Sequence, residues 1–235
     1  MRHFGAVLAC IVCVGVSLAL TSPATAGVID VKGSFEDPAR SSGVEEKVTY
    51  NTNTGWLSGP SLTGWTLDMQ YASGNATWMS VYNPATPFAG QTGSQVTGAY
   101  VSSGTLQGSK GARWTSGVVG QAAIGNTYDL SVDVFNAGAA SAWGIGAPKL
   151  QLYVGGGLKK EAAITANGIQ FTTTSLQWVA DSAGDITIRI LQVGSQSTPS
   201  KLYYDNVQLS YVPEPATMAL LGLGGLGALL RRRRS

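Results

Sequence analysis

An antiparallel β-sandwich of the jelly-roll kind is the fold class this chain predicts for residues 27–211. Three observations carry the prediction. Apolar side chains recur at every second position in several short segments, the period of a strand with one buried and one wet face. Gly, Asn and Ser separate these segments, with 31 glycines in 235 residues, as turns between short strands require. No long stretch of the body repeats with the helical period, which argues against an α/β layer arrangement.

The expected strands are 28–35, 46–50, 64–69, 77–82, 94–100, 127–135, 150–154, 169–173, 176–180, 186–193 and 202–211. In Tyr128-Asp129-Leu130-Ser131-Val132-Asp133-Val134 every second side chain is apolar. Ile186-Thr187-Ile188-Arg189-Ile190 does the same. Longer loops are expected at 52–61, 83–93, 137–147 and 194–200. No fixed-period repeat stands out, and the length suits one domain with a real core.

The two ends are of another kind. Met1-Arg2-His3 is a short basic start, 6–20 is apolar, and Ala24-Thr25-Ala26 is a small-x-small cleavage site. That order predicts a signal peptide over 1–26, read by the secretion machinery and cut before Gly27. At the other end stand Pro213-Glu214-Pro215, an apolar run at 216–230, and Arg231, Arg232, Arg233 and Arg234. Arginines hold the end of such a run on the cytoplasmic side. Both ends thus give one topology, with the body outside the inner membrane. A helix of this length reaches about 22 Å against a hydrocarbon core of about 30 Å. So short a span suits temporary retention. Gly222-Leu223-Gly224-Gly225-Leu226-Gly227 spells a dinucleotide-binding loop, but it lacks the flanking strand, helix and acid, and small residues in a membrane helix explain it better.

The order Pro-Glu-Pro, apolar helix, arginine cluster over 212–235 resembles the sorting signal of PEP-CTERM proteins, the exosortase substrates of Gram-negative bacteria. The resemblance implies an exosortase-type processing enzyme acting near Pro213, Glu214 and Pro215. It also implies transient anchorage in the inner membrane, then delivery to the cell surface or an extracellular biofilm matrix.

Composition excludes several chemistries. Cys10, Cys13 and His3 all lie in the expected signal peptide. The mature body therefore has no disulfide, thiolate nucleophile, imidazole base or His/Cys metal ligand. Five of the 15 Lys+Arg and one of the 13 Asp+Glu lie in the ends. Ten bases against twelve acids leave the body at a net charge of −2, with no basic patch for nucleic acid.

Three further segments keep a recognisable order. Gly33-Ser34-Phe35-Glu36, Gly64-Trp65-Thr66 and Tyr204-Asp205-Asn206-Val207-Gln208-Leu209 together resemble galactose-binding-like jelly rolls, which include many carbohydrate-binding modules. The resemblance implies a sugar-associated ectodomain. It also implies that Glu36 and Asp205 approach each other and can hold a structural calcium ion, with Asp37 as a further ligand. Carboxylates that cap turns or face solvent are the alternative. No other cofactor is expected.

Aromatic rings are the usual platform for the apolar face of a pyranose. Trp56 lies among Asn, Thr, Gly and Ser, Trp143 lies in the loop 137–147 and Trp114 follows Lys110 and Arg113; these three are the expected stacking residues. Trp65 and Trp178 read as core, while Trp78 fits either role. A glycosidase needs two carboxylates about 5 to 9 Å apart. Asp129 and Asp133 share a strand face but lie about 13 Å apart along it. The expected function is a non-catalytic surface or matrix protein that associates with exopolysaccharide. A carboxylate-based polysaccharide enzyme and a purely architectural matrix protein are the alternatives.

Overall fold

The computed structural model describes residues 26–50, 56–70, 77–101, 104–105, 111–137, 148–166, 168–193, 195–196 and 200–213. The described strands are β1 (Gly27–Gly33), β2 (Glu45–Tyr50), β3 (Trp56–Ser58), β4 (Trp65–Gln70), β5 (Thr77–Tyr82), β6 (Val96–Val101), β7 (Gly104–Thr105) and β8 (Gly111–Ser116). They continue with β9 (Gly120–Ala122), β10 (Thr127–Asn136), β11 (Lys149–Val154), β12 (Gly157–Ala163), β13 (Thr172–Val179), β14 (Gly184–Val193), β15 (Ser195–Gln196) and β16 (Ser200–Val212). No helix occurs among the described residues.

One sheet runs β13-β10-β16-β6-β5-β2, with β1 also on β16. The other runs β12-β11-β14-β8-β4-β3, with β9 also on β14. The ladders β10–β13, β11–β14, β14–β8, β6–β16 and β5–β6 are antiparallel. The fold is the antiparallel β-sandwich that alternation predicts. On β10, Tyr128, Leu130, Val132 and Val134 are buried, and on β14, Ile186, Ile188 and Ile190 face them in one core cluster. Trp114 of β8 fills the centre. Its ring meets the edge of Tyr204 at 4.7 Å, and its indole N–H donates to Thr97 Oγ1 at 2.8 Å.

The sequence reading misses β3, β7, β8, β9, β12 and β15, and β8 and β12 show why. On β8, Gly111, Ala112, Trp114 and Ser116 are buried, so small and polar side chains disguise the alternation. β12 is an edge strand carrying Lys159, Lys160 and Glu161, a composition that protects an exposed edge from pairing and hides the strand. It returns from β11 through Gly155 and Gly156, with φ of 56° and 80°. Positive φ at both central residues makes the two-residue turn that matches strand twist. The expected strand 169–173 is corrected: Ile169 is 81% exposed, and pairing begins at Thr172.

β16 contains the irregularity that shapes the molecule. Leu202 and Tyr204 point into the core, and so do Val207 and Leu209. The parity changes at Asn206, whose φ is 49°. One residue in the left-handed region makes a bulge, which Asn tolerates better than most side chains. Gly33 meets this segment so closely that an added Cβ would lie 1.9 Å from the Val207 carbonyl oxygen.

No helix among the described residues is long and apolar enough to cross a membrane. The expected helix at 216–230, residues 1–25 including Ala24, Glu214, Pro215 and Arg231 through Arg234 lie outside the described residues. Ala26 and Pro213 are described, both as irregular backbone.

Candidate functional site

The outward face of the first sheet carries a second apolar cluster, separate from the core. Val96, Phe135, Phe171 and Tyr203 form it, with Tyr82 and Phe88 packed against them. It follows from alternation: Met79 and Val81 enter the core, so Trp78, Ser80 and Tyr82 face outward. Ala99 does the same for Val96, Gly98 and Tyr100, and Leu202 for Lys201 and Tyr203.

Register aligns these residues in rows across the sheet. Trp78 lies opposite Tyr100, which lies opposite Lys201. In the next row Lys47, Ser80, Gly98 and Tyr203 follow one another. Trp78 and Tyr100 stack with ring centres 5.7 Å apart and planes 16° apart, and both are half-buried. The ammonium groups of Lys47 and Lys201 each lie 4.9 Å from the Trp78 ring. Lys201 also lies 4.8 Å from the Tyr203 ring. Such cation–π contacts contribute about 0.5–1 kcal/mol each at exposed sites. Gly98 forms the floor, because a Cβ there would lie 2.6 Å from Cδ1 of Tyr203. The glycine lets the Tyr203 ring lie across the strand.

Glu45 ties the row together. Its carboxylate accepts from Ser80 Oγ at 2.8 Å and pairs with Lys47 at 2.8 Å and Lys201 at 3.7 Å. Burial beside the rings holds the Lys201 ammonium below the ordinary lysine value, with Lys47 acting in the same sense and Glu45 opposing. The outward face of the second sheet is different. It is a polar ladder in which Lys149 pairs with Glu161 at 2.7 Å and Arg113 with Asp68 at 3.0 Å.

At the edge of the aromatic face, the loop from Asn83 to Gln95 is held by carboxylates. Glu36 accepts from the amides of Ser94 and Gln95 at 2.7 and 2.8 Å. Asp205 accepts from the amide of Thr92 at 2.9 Å and from that of Asn206 at 2.7 Å. Phe88, on the same loop, packs on Phe135 at 4.8 Å and Tyr203 at 5.0 Å. The Asp205 side chain is fully buried. That burial pushes its carboxyl up to about 8, Glu36 and Asp133 add to the rise, and the two amides oppose it. No ion pair among the described residues neutralises it. Asp205, without an ion-pair partner among the described residues, and Glu36, gripping the same turn, supply hard oxygens of the kind that calcium takes. No group of three or more His, Cys, Asp or Glu among the described residues is placed to hold a metal ion by itself, so backbone carbonyls and water would complete such a shell. Asp37 carries no side-chain contact to this turn; its carbonyl accepts from Thr63 at 2.9 Å.

The structure redistributes the expected stacking residues. Trp114 is completely buried, so its expected role on the surface is corrected: the neighbouring Arg113 points the other way along the alternation and meets Asp68. The Trp56 side chain and all of Trp143 lie outside the described residues. Trp65 and Trp178 are buried, as their strand contexts indicate. Sequence reasoning missed Tyr100, Tyr203 and Lys201 as partners of Trp78. The available signal was the parity of Trp78 against the core residue Met79.

Residues 212–234 match a family model described as the PEP-CTERM protein-sorting motif. The tail is a PEP-CTERM sorting signal. Among solved structures, the Stig cyclase Fisc from Fischerella sp. TAU, in complex with (3Z)-3-(1-methyl-2-pyrrolidinylidene)-3H-indole, superposes with a TM-score of 0.54 at 16% identity. The match covers 80% of this chain and 99% of that one. A further cyclase from Fischerella sp. TAU gives 0.55 at 18% identity, covering 80% and 98%. At these identities the likeness is one of fold. A CBM4 structure matches over 56% of this chain and 92% of its own, at 15% identity and a TM-score of 0.39, too low to carry an argument. No curated protein matches the chain.

Proposed function

We propose that this PEP-CTERM chain is a secreted, non-catalytic protein that binds polysaccharide on the outward face of β2, β5, β6 and β16. The Trp78–Tyr100 stack carries the reading. The outer faces of these stacked, half-buried rings are the apolar surface on which a pyranose packs, and Ser80, Glu45 and the two lysines supply hydrogen-bonding groups beside it. Binding rather than hydrolysis is supported by the acids nearby. Asp129 accepts from Gln177 at 2.8 Å and Asp133 from Thr173 at 2.6 Å, so both are occupied in cross-strand pairs.

Export follows from the signal peptide, and the sorting motif directs the chain to an exosortase-type enzyme in the inner membrane. Release from that anchor delivers the body to the cell surface or the extracellular matrix. Glu36 and Asp205 hold calcium in this reading, which pins the loop bearing Phe88 against the aromatic face. The test is retention of the secreted protein on immobilised polysaccharides, including the host's own. Trp78→Ala should lose retention while remaining folded, at a modest cost in melting temperature. Equal retention of both forms, or none of either on any polymer, contradicts the assigned face.

A further inference from the structure

We propose that the platform takes an acidic polysaccharide, one whose sugars carry carboxylates, with Lys47 and Lys201 as the residues that select it. The proposal rests on the glycan-binding reading above and adds the class of sugar.

The charge arrangement is the argument. Two ammonium groups share one carboxylate on this face. That carboxylate is turned inward: Glu45 accepts from Ser80 Oγ at 2.8 Å and from the Tyr203 hydroxyl at 3.4 Å. The Lys201 contact to Glu45 is long, at 3.7 Å, and its ammonium sits among the rings of Trp78, Tyr82 and Tyr203. Lys47 and Lys201 against Glu45 alone leave one positive charge beside the Trp78, Tyr82 and Tyr203 rings.

The lysines also discriminate between ligands. Both lie over Trp78, so a neutral pyranose must compete with two cations for the indole. A sugar carboxylate recruits those cations instead, exchanging weak cation–π contacts for charge-assisted hydrogen bonds, which are the stronger interaction. The attraction of an incoming anion offsets the partial desolvation of the Lys201 ammonium. The body as a whole is net acidic, so an acidic polymer gains nothing from the overall field. Attraction is local to this face.

The experiment uses the full chain in mild detergent. Affinity is measured on polygalacturonate, on the same polymer with its carboxylates methyl-esterified, and on a neutral β-glucan. Polygalacturonate should bind at least about tenfold more tightly than its ester, the scale of one charge-assisted hydrogen bond. Lys47→Gln and Lys201→Gln should each lose about tenfold on polygalacturonate, and Lys160→Gln, on the distant edge strand β12, should lose nothing. If Lys201→Gln does not fold, Lys201→Arg should retain affinity and Lys47→Gln still decides. Equal affinity for the acid, ester and glucan, abolished by Trp78→Ala, overturns the acidic selectivity and leaves the platform standing. Equal losses in the Lys160 and Lys47 variants overturn the proposal as well. Binding to none of the polymers overturns both readings.

Discussion

Glu36 and Asp205 hold one turn from opposite ends of the body. Glu36 takes the amides of Ser94 and Gln95, and Asp205 takes that of Thr92. Each sits beside a backbone irregularity: Phe35 has φ of 55° and Asn206 of 49°. Those two departures from strand geometry turn both carboxylates toward the same loop. Gly93, between the gripped amides, has φ of 74°, and a Cβ there would lie 2.3 Å from Glu36 Oε1. The loop thus approaches the carboxylate as only a glycine permits.

The first prediction concerns pH. Asp205 has its pKa raised from 3.8 to about 8 in the folded state, so the folded chain binds a proton that the unfolded chain releases. Its contribution is fully present below about pH 4 and is lost as pH rises through about 8. In chelator, melting temperature should therefore fall across that window. Calcium should flatten the slope by neutralising the carboxylate, and Asp205→Asn should remove both the slope and the calcium response. Thermal melts between pH 4 and pH 9 give the answer. Identical curves with calcium and chelator would falsify the metal site.

Gly98 tests the floor of the aromatic face. Gly98→Ala should destabilise the chain by about 1–3 kcal/mol through overpacking, against the small gain that alanine normally brings to a strand. The added methyl meets Tyr203 and the Leu202 carbonyl. Urea denaturation measures the cost, and polysaccharide affinity should fall with it. A variant as stable as the parent means that Tyr203 moves aside freely.

The tail makes a separate prediction. Glu214→Ala should leave the full-length precursor in the inner membrane, because the sorting motif at 212–234 is then incomplete. The readout is the C-terminal peptide of each cell fraction by mass spectrometry. Release of the substituted chain with a terminus near Pro213 defeats this reading.

Legibility in the sequence followed the strength of alternation. β10 reads cleanly because Tyr128, Leu130, Val132 and Val134 are all large, apolar and buried. β8 does not, since Ala112 and Ser116 are small and Arg113 draws the eye to charge. The same confusion put Trp114 on the surface: a basic neighbour says nothing about the side chain one position on, which points to the other face. Trp78 needed one more inference, that Met79 was the inward residue. The aromatic row itself was out of reach. It joins Trp78, Tyr100 and Lys201 through pairings of β5, β6 and β16, and a strand order that interleaves distant segments cannot be read from any one of them.

The two tryptophans therefore separate stability from binding. Trp114→Phe removes the indole donor and leaves Thr97 Oγ1 without it in a closed core. The cost should be about 1–3 kcal/mol, that of an unsatisfied buried polar group. Polysaccharide affinity should not change, because the ring lies between the sheets and reaches no solvent. Trp78→Ala should do the reverse. Its half-buried ring contributes less to folding, yet its loss also frees Lys47 and Lys201 from the surface they rest on. Paired measurements of urea midpoint and affinity for both variants make the contrast. If Trp114→Phe weakens binding while Trp78→Ala does not, the sugar platform is on the wrong residues.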